Sequence, residues 1–505
     1  MRCTSSSSRC PDTAPRATAP GVSCSGGRAL ASELGSPRPA EEGDVSSPAI
    51  VCTGMCDTKG AEVRFLAEMV AANGGRPVIM DLSLGGAVDW ADVSLQEVLA
   101  CTGVRVEDVL AAPRAEASEL VGRAGAAKIL ELHSRGECDG VLSWAGSVGT
   151  STATRVMRAL PFGVPKIMLT DMTSGDLGTW VGNKDIYIVN PTLEQGINLV
   201  TRRAVANAAA GIVAMARVGA ITAGVKPLCA VTSYGTTTPT VQRCRAFMEA
   251  RGFDTAVFHA VGVGATMEDL VRSGLITAVL DITLAELIND MFGSPFRFPA
   301  SWEGERLTAA GAMGIPQVVV PGGLDQLAFG TLNTVPARYL DDLKAGRRPS
   351  YRGTGRPYSH NDGVTILSPS LEEVGRVARY MAERLNRTQG PTAVVLPMRG
   401  WSAYDQSEKL ATRERGWAEG NGDGPTWEPD PERPEWSRRS TLMLEILGEQ
   451  LDPGNQNLDL VAVDQHILDP ALADLLNRMI GEMLDGTWRR GAHRDLDVRR
   501  GLAAP

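Results

Sequence analysis

Residues 143–152, with the sequence SWAGSVGTST, join an apolar run to a segment with helical periodicity. The preceding residues 138–142 (CDGVL) predict a buried strand, and residues 153–160 predict the first turns of a helix. Small and hydroxyl residues at such a junction let backbone N–H groups and the helix N-terminus approach an anion. The stretch therefore predicts an anion-binding loop, with an ordinary strand-to-helix turn as the alternative.

The same alternation of strand, loop and helix runs through the whole first half of the chain. An amphipathic helix follows the first strand, and a long alanine-rich helix is expected at about 195–216. The predicted strands are residues 49–52, 77–81, 140–143, 165–170 and 186–190. Alternating strands and helices are typical of a parallel sheet covered by helices. We therefore expect residues 48–222 to form a first α/β lobe.

The second half repeats landmarks of the first half in the same order. Residues 314–320 (GIPQVVV), for example, resemble residues 163–169 (GVPKIML), and a strand at 229–232 leads into a polar loop as the strand at 49–52 does. An ordered set of such pairs indicates two similar halves. The predicted fold class is α/β, with two similar Rossmann-like lobes whose parallel sheets are flanked by helices. The second lobe is expected to cover residues 223–404.

Several segments are expected outside these lobes. Residues 1–47 are rich in Ser, Pro, Ala and Gly and predict a disordered tail, with a wrongly assigned start codon or an organelle transit peptide as alternatives. Residues 405–440 predict a surface insertion, and residues 441–484 predict C-terminal helices that pack on the lobes. Residues 485–505 predict a frayed tail.

Composition argues against several classes of protein. The formal net charge of -9 disfavours a nucleic-acid partner, because such partners select a basic face. No run of about 18 uninterrupted apolar residues is present, so no membrane span is predicted. The nine cysteines form no CxxC pair and no histidines stand at ligand spacing. We therefore expect buried thiols in the reducing cytoplasm and no structural metal site.

Loops that follow strands are the candidate sites, because ligands of parallel α/β sheets bind beyond the carboxyl ends of the strands. Asp57, Thr58 and Lys59 in the loop 53–60 offer a carboxylate, a hydroxyl and an ammonium, which suit a metal-bound phosphate. A helix cap beside a solvated lysine is the alternative. The loop 170–176, with residues 182–185 after it, either completes the same pocket or is a capped surface loop.

The second half carries comparable loops at 234–238 (YGTTT), 259–264 (HAVGVG), 321–325 (PGGLD) and 398–402. Arg399 could bind a carboxylate or a phosphate through two hydrogen bonds. His259 is either a general acid or base, with Asp281 and Glu286 as candidate partners, or a capping or packing histidine. No arrangement of Ser, His and Asp or of Cys and His indicates nucleophilic catalysis.

Together these motifs resemble the tomato-mosaic-virus-resistance-protein-like ATP-binding family. The GTxDTK pattern of that family corresponds to residues 54–59 (GMCDTK), and its GGSGGT pattern corresponds to residues 145–150 (AGSVGT). Further family-like segments stand in order at 159–168, 174–176, 181–185, 202–213, 235–239, 258–264, 321–325, 396–400 and 464–470. The resemblance covers nearly all of the chain that is expected to be ordered.

The resemblance implies a homodimeric protein that binds ATP in the first lobe, with Mg²⁺ as a further candidate. The residues expected at the nucleotide are Gly54, Asp57, Thr58, Lys59, Gly146, Ser147, Gly149, Thr150, Ser174, Gly175, Asp176 and Lys184. A small acidic metabolite is expected in a cleft between the lobes, with His259 and Arg399 as catalytic residues. The residues expected to bind that metabolite are Gly235, Thr236, Thr237, Gly262, Gly264 and Asp325.

Departures from the family pattern leave three functions open. Met55 replaces a hydroxyl residue, and Ala145 and Val148 replace loop glycines. We expect weakened or altered nucleotide binding, because valine limits close backbone approach and disfavours positive φ. The chain is then an ATP-dependent enzyme such as a ligase or phosphotransferase, a non-catalytic nucleotide-dependent regulatory or protein-binding module, or a protein that binds another phosphate- or carboxylate-bearing metabolite.

Overall fold

The computed structural model describes residues 47–174, 177–219, 224–349, 355–405 and 438–493. Its first sheet is built around strand β1 (Ala49–Gly54), all six residues of which are buried. The other strands are β2 (Arg76–Asp81), β3 (Gly140–Trp144), β4 (Lys166–Leu169) and β5 (Tyr187–Val189). All neighbours are parallel, in the order β2-β1-β3-β4-β5. An apolar run such as β1 suits this place, because both faces of a parallel sheet are covered.

Helices cover the two faces of this sheet. They are α1 (Cys56–Ala72), α2 (Leu95–Ala100), α3 (Val106–Ala111), α4 (Arg114–Ser134), α5 (Ser147–Ala159), α6 (Gly178–Val181) and α7 (Leu199–Ala216). Ile50 and Cys52 lie in one core with residues of α1 and α7, whereas Val51 lies in another with residues of α2, α4 and α5. Successive side chains of β1 therefore enter opposite cores, as the pleat of a strand requires.

The second sheet repeats this strand order. It contains β6 (Leu228–Ser233), β7 (Asp254–His259), β8 (Ile276–Thr283), β9 (Gln317–Gly322), β13 (Thr392–Pro397) and β14 (Leu458–Val463). The order is β14-β13-β9-β8-β6-β7, and all pairs are parallel. The first five of these strands along the chain therefore have the same neighbours as β1 to β5. This confirms the prediction of two similar α/β lobes.

The helices of the second lobe follow the apolar periodicity of the sequence. They are α8 (Thr238–Ala250), α9 (Gly264–Arg272), α10 (Ala285–Met291), α11 (Ala309–Ala312), α12 (Ala337–Lys344), α13 (Leu371–Leu385), α14 (Arg439–Gln450) and α15 (Pro470–Leu484). In α13, Ser370 and Glu373 form a capping box that satisfies backbone N–H groups at the start of the helix. Val377, Met381 and Leu385 then lie buried along one face. Local capping and an apolar stripe together explain why this segment is helical.

Two features of the second lobe differ from the expectation. Residues 364–367, within the lobe predicted to form around a parallel sheet, do not join that sheet: they form β12 (Val364–Leu367), which pairs antiparallel with β10 (Leu327–Phe329) and β11 (Tyr358–Asn361). In addition, β14 pairs with β13 along its length, so the C-terminal segment completes the second sheet as well as supplying helices. Most of the predicted N-terminal tail and of the predicted insertion lies outside the described residues, as do residues 494–505. Residues 485–493, also predicted to belong to a frayed tail, are described, and their Trp488 packs in the core of the second lobe.

Helix α7 is the one helix in the described ranges that is long and apolar enough to cross a membrane. Its residues Val205, Ala209, Ile212 and Val213 instead pack in the core of the first lobe. The apolar composition of α7 is therefore explained by its place against the sheet.

Candidate functional site

The loops after β1 and β3 meet at the point where the strand order of the first sheet reverses. The chain leaves β1 toward β2 on one side, and β3 lies on the other side, which makes this crevice the topological switch point where such sheets bind ligands. A cavity of about 490 Å³, here called the first-lobe cavity, opens at this point. Its lining residues are Met55, Asp57, Thr58, Lys59, Leu84, Gly85, Val109, Leu110, Ala112, Arg114, Ala117, Ala145, Gly146, Ser147, Val148, Gly149, Glu194 and Gln195.

Lys59 brings a cation to this cavity from a largely buried position. Its side chain is 10% exposed, and its backbone leaves helical geometry with φ -126° and ψ 32°. The ammonium donates a hydrogen bond to the main-chain oxygen of Glu194 at 2.6 Å. The Glu194 carboxylate is more exposed and lies 3.8 Å from the Lys59 Nζ atom. A largely buried ammonium next to an exposed carboxylate is suited to binding an anion that displaces the carboxylate.

Asp57 is held by the loop that follows β2. The N–H of Asp57 donates to Ser83 Oγ at 2.9 Å, and the N–H of Gly85 donates to Asp57 Oδ2 at 2.7 Å. Ser83 Oγ in turn donates to Asp81 Oδ1 at 2.5 Å. A Cβ atom at position 85 would lie 2.8 Å from Asp57 Oδ2, so this contact requires glycine. The Asp57 carboxylate is thus fixed at the cavity wall.

The N-terminus of α5 faces the same cavity. Gly146 is its N-cap, and no side chain of the described residues accepts a hydrogen bond there. The first N–H groups of a helix have no acceptors within the helix, and they carry partial positive charge. A Cβ atom at position 146 would lie 2.7 Å from Glu194 Oε1, so this carboxylate already lies against the start of the helix. The arrangement is that of an anion site.

The substitutions at positions 145 and 148 do not strain the backbone. In the described part of the chain, positive φ outside glycine occurs only at Thr192 and Leu307, and Val148 is the second residue of α5. The expectation that valine is disfavoured there by its φ angle is therefore wrong, because the position is helical. Ala145 and Val148 act instead through their side chains, which line the cavity.

An apolar part of the lining comes from α3 and the start of α4. It comprises Val109, Leu110, Ala112 and Ala117, with the exposed Arg114 among them. The sequence analysis missed this segment because it is far from both polar loops along the chain. No local sequence pattern indicated it, although in the structure Leu110 is 53% exposed.

Other residues predicted at the nucleotide lie elsewhere. Gly54 is buried at the end of β1, and Thr150 donates to Thr170 Oγ1 at 2.8 Å inside the lobe. Ser174 is exposed and is absent from the cavity lining, and Gly175 and Asp176 are outside the described residues. The structure thus brings six predicted residues to the first-lobe cavity: Asp57, Thr58, Lys59, Gly146, Ser147 and Gly149.

Lys184 contacts the second lobe and not the first-lobe cavity. Its ammonium lies 3.5 Å from Asp269 Oδ2 and 4.4 Å from the centre of the Phe162 ring. The neighbouring Asn183 amide donates to the same Asp269 carboxylate at 2.5 Å. The VGNKD segment therefore joins the two lobes.

A cavity of about 350 Å³, here called the second-lobe cavity, lies at the carboxyl ends of β6 and β7 beside the antiparallel sheet. Its lining residues are Tyr234, Gly235, Thr236, His259, Val261, Phe296, Gln326, Ala328, His360, Asn361, Val364 and Ile366. Three of its lining residues, Gly235, Thr236 and His259, were expected to bind or convert the metabolite. It shares no lining residue with the first-lobe cavity, so the loops of the two lobes form two separate cavities where one cleft was expected.

Two histidines line the second-lobe cavity. Burial lowers the pKa of His259 below its usual range, and the negative charge of Glu286 partly opposes this shift. The ring of His259 meets the ring of Tyr234 edge-on, with 5.4 Å between their centres. His360 Nδ1 lies 2.7 Å from the hydroxyl of Tyr404. The sequence analysis missed His360 because it belongs to the unpredicted antiparallel sheet.

Gly262 and Gly264 bind a carboxylate of the protein itself. Their N–H groups donate to Glu286 Oε2 at 3.0 and 3.1 Å. Glu286 Oε1 accepts a hydrogen bond from Arg306 Nε at 2.6 Å. A Cβ atom at position 264 would lie 1.7 Å from Glu286 Oε1, so the glycine is needed for this contact. The loop has the properties of an anion site, and Glu286 fills it.

Arg306 is fully buried among carboxylates. Besides Glu286, it donates to both oxygens of Asp281, at 2.8 and 3.0 Å, and to Glu268 at 3.1 Å. Burial raises the pKa of Glu268, and the charge of Arg306 opposes that shift. Asp281 and Glu286, considered as partners of His259, thus belong to a buried ion network.

The remaining predicted residues also have partners within the protein. Thr237 is buried, with its hydroxyl 2.8 Å from that of Thr283. Asp325 is buried and accepts a hydrogen bond from Ser402 at 2.6 Å; burial and the nearby Asp405 raise its pKa to about 7. None of these residues lines either cavity.

Arg399 is bound to Asp464 near the surface. Its Nε and Nη2 atoms donate to the two carboxylate oxygens at 2.5 and 2.8 Å. These hydrogen bonds lower the pKa of Asp464. The bidentate recognition that the sequence predicted for a ligand is thus made with an internal carboxylate.

Comparison with known families finds one family whose two domains match most of this chain. The N-terminal domain of the "Uncharacterised protein family (UPF0261)" matches residues 48–220, and its C-terminal domain matches residues 226–416. A UPF0261 protein of Clostridium tetani is 34% identical over 361 residues, which cover 70% of this chain and 85% of that protein. The chain belongs to the UPF0261 family. The N-terminal domain match coincides with the first lobe, and the C-terminal domain match covers the second lobe except for α14, β14 and α15.

Further relatives include bacterial and plant proteins. A UPF0261 protein of Rhizobium meliloti is 36% identical over 358 residues, which cover 70% of this chain and 85% of that protein. The ToMV resistance protein Tm-1(GCR237) of Solanum lycopersicum is 30% identical over 390 residues, which cover 72% of this chain and 49% of that protein. The UPF0261 lobes thus form about half of the plant protein.

Proposed function

We propose that the first-lobe cavity binds ATP, with the phosphates at Lys59 and at the N-terminus of α5. The observation that carries the proposal is the convergence of a buried ammonium and an uncapped helix N-terminus at the switch point of a parallel sheet. Both features stabilise negative charge, and the surrounding protein strengthens them by excluding water. A polyphosphate is the ligand that uses both.

The rest of the lining supports a nucleotide over a bare phosphate. Val109, Leu110, Ala112 and Ala117 offer apolar surface suited to a base, and a cavity of about 490 Å³ is within the usual range for small-molecule sites. Arg114, exposed in the first turn of α4, adds a positive charge at the rim. The adenine ring of ATP would match the apolar part of the lining, and its phosphates would match the positive charges.

Mg²⁺ would enter with the nucleotide. Within the described residues, no group of three or more His, Cys, Asp or Glu side chains is suited to a metal ion. The fixed carboxylate of Asp57 would contribute one ligand, and phosphate oxygens and water would complete the shell that Mg²⁺ prefers. Glu194 lies against Gly146 and near Lys59, so an incoming phosphate would displace its carboxylate.

As an enzyme, the protein would convert a small acidic metabolite bound in the second-lobe cavity, by ligation or phosphoryl transfer. Gly235, Thr236 and His259 lie there, and the lowered pKa of His259 favours the neutral imidazole that a general base needs. The separation of the two cavities means that transfer would require the lobes to move. A cytoplasmic homodimer is part of this proposal and rests on the family resemblance and the cysteine pattern.

A non-catalytic module is the second candidate, and the separation of the two cavities favours it. ATP bound in the first lobe would then control binding of another molecule at the second lobe. The plant relative is named as a resistance protein against a virus, which is compatible with a binding role. In the third candidate, the first-lobe cavity holds another phosphate- or carboxylate-bearing metabolite.

Mass spectrometry of the ligand retained by the purified protein, followed by calorimetric titration with ATP and Mg²⁺, tests these candidates. ATP binding with release of ADP or AMP in the presence of a carboxylate identifies the enzyme. ATP that binds and stays intact while a partner is captured identifies the module. No heat with ATP, together with a different retained metabolite, overturns the nucleotide proposal.

A further inference from the structure

A third cavity, of about 360 Å³, lies where the two lobes meet. Its lining includes four cationic side chains, Arg123, Arg155, Arg158 and Lys184, and two carboxylates, Asp269 and Glu303. The cations come from the first lobe and the carboxylates from the second. We propose that this interlobe cavity binds a small oxyanion with at least two negative charges, of the size of inorganic phosphate.

The charges in this cavity are not balanced by internal partners. Arg155 pairs with Glu119 at 2.6 Å and with Glu303 at 3.2 Å, and Arg123 donates to Glu119 at 2.7 Å. Even with Glu119 included, the cations outnumber the carboxylates. Since arginine guanidinium groups match the geometry of oxyanions, an excess of arginine in a cavity favours such a ligand.

Arg158 is the cation that most needs a counter-charge. Its guanidinium donates to the carbonyl oxygen of Trp180 at 2.6 Å, and no ion pair with a carboxylate forms in the described part of the chain. Burial, reinforced by the charge of Arg155, lowers the pKa of Arg158 to about 10. A largely buried cation without a carboxylate is costly, and a bound anion would offset that cost.

Ser301 supplies an independent indication on the opposite wall. Ser301 lines the cavity, and its buried hydroxyl has no hydrogen-bond partner among the described residues. Buried polar groups nearly always have partners, so a missing one indicates a bound water or ligand. Ser301 Oγ and the Arg158 side chain both lie beside Gly182, so an oxyanion with several acceptor oxygens could accept from both.

Phosphate titration at constant ionic strength, followed by calorimetry, tests the proposal. Arg123 and Arg135 make a matched pair, because each is an exposed arginine of the α4 region that pairs with a glutamate four residues earlier. Only Arg123 lines the interlobe cavity. We expect Arg123→Gln and Arg158→Gln to weaken phosphate binding about tenfold and Arg135→Gln to leave it unchanged.

Two further experiments are needed. One distinguishes binding at the interlobe cavity from binding at the first-lobe cavity, and the other distinguishes phosphate from a dicarboxylate as the ligand. Lys59→Gln should retain the phosphate binding at the interlobe cavity, and hydrogen exchange should show protection of residues 178–185 and 299–305. Succinate in place of phosphate tests a dicarboxylate, and competition between the two supports one shared site. If Arg158→Gln fails to fold, Arg123→Gln still decides. No binding of either anion, binding lost only in Lys59→Gln, or wild-type binding in both arginine variants would overturn the proposal.

Discussion

Lys59 and Glu194 are in direct contact at the wall of the first-lobe cavity, although 135 residues separate them in the chain. The ammonium donates to the main-chain oxygen of Glu194 at 2.6 Å and lies 3.8 Å from its carboxylate. This contact joins the loop after β1 to the segment after β5. It also places the 58% exposed carboxylate of Glu194 beside the proposed anion site, so we expect an anionic ligand to compete with this carboxylate for Lys59.

Replacement of Lys59 by Gln should weaken ATP binding by about tenfold or more, because a desolvated cation contributes more to binding a phosphate than an exposed one. Lys344→Gln is the control, since Lys344 is 76% exposed and lies in the other lobe. Calorimetric titration of both variants checks the prediction, with unfolding of the ligand-free proteins measured in parallel. Equal ATP affinity in Lys59→Gln and wild type would contradict it.

Replacement of Gly149 by Ala should destabilise the protein by about 1–3 kcal/mol, the usual cost of overpacking. The new Cβ atom would lie 2.5 Å from the Cβ atom of Ala145. In an Ala145→Gly background the same change should be tolerated. Gly211 in α7 serves as the control, because a Cβ atom there meets only an ordinary contact, with Ile167 at 3.9 Å.

Chemical denaturation of Gly149→Ala, Ala145→Gly, the double variant that combines them, and Gly211→Ala measures these effects. Gly211→Ala should be neutral or stabilising by up to about 1 kcal/mol, because alanine is the better helix former. If Gly149→Ala is as stable as wild type, the contact with Ala145 does not limit the loop.

Replacement of Arg306 by Met should destabilise the second lobe by about 3–5 kcal/mol, because it leaves buried carboxylates without their cation. Arg387→Met provides the comparison, since Arg387 is 56% exposed and pairs with Glu305 and Glu383. That variant should change stability by less than about 1 kcal/mol. Urea denaturation gives both values, and similar values would show that the buried network is dispensable.

The pH dependence of stability should contain a contribution from Asp325. Its pKa is about 7 in the folded protein, above the ordinary 3.8, so the folded state binds this proton more tightly. The stabilisation is complete below the ordinary pKa and is lost as the pH rises toward 7. As the pH rises from about 4 to about 7, the free energy of unfolding of Asp325→Asn should therefore increase relative to that of wild type by more than about 1 kcal/mol.

Urea denaturation across this range checks the prediction, with Asp341→Asn as a control on an exposed carboxylate of the same lobe. The control should follow the wild-type profile. Parallel profiles for wild type and Asp325→Asn would show that this carboxyl is not the group that titrates.

The main strands could be predicted because each parallel strand is an apolar run, and because the second half repeats the first. The antiparallel sheet could not: β10 has three residues, and β11 (sequence YSHN) is largely exposed and shows no apolar alternation. Its pairing depends on tertiary contacts. For the same reason His360, which this sheet carries to the second-lobe cavity, was not predicted.

The candidate site was predictable where its residues are local in sequence. Asp57 to Lys59 and Gly146 to Gly149 follow strands directly, and the sheet brings their loops together. Leu110 and Glu194 reach the cavity through packing of distant segments, which no local pattern indicates. The glycines at 262 and 264 were predicted to bind the metabolite, and sequence could not reveal that their N–H groups donate to Glu286.

Glu286 also determines how the two lobes differ. It lies in the first turn of α10, the counterpart of α5, and its carboxylate occupies the glycine loop of the second lobe. A phosphate approaching that helix would meet the charge of Glu286, whereas the first turn of α5 has no acidic residue of its own and only the more exposed Glu194 carboxylate, from another segment, lies against it. We therefore expect ATP to bind in only one of the two similar lobes, and titration should saturate at a stoichiometry of one ATP per chain.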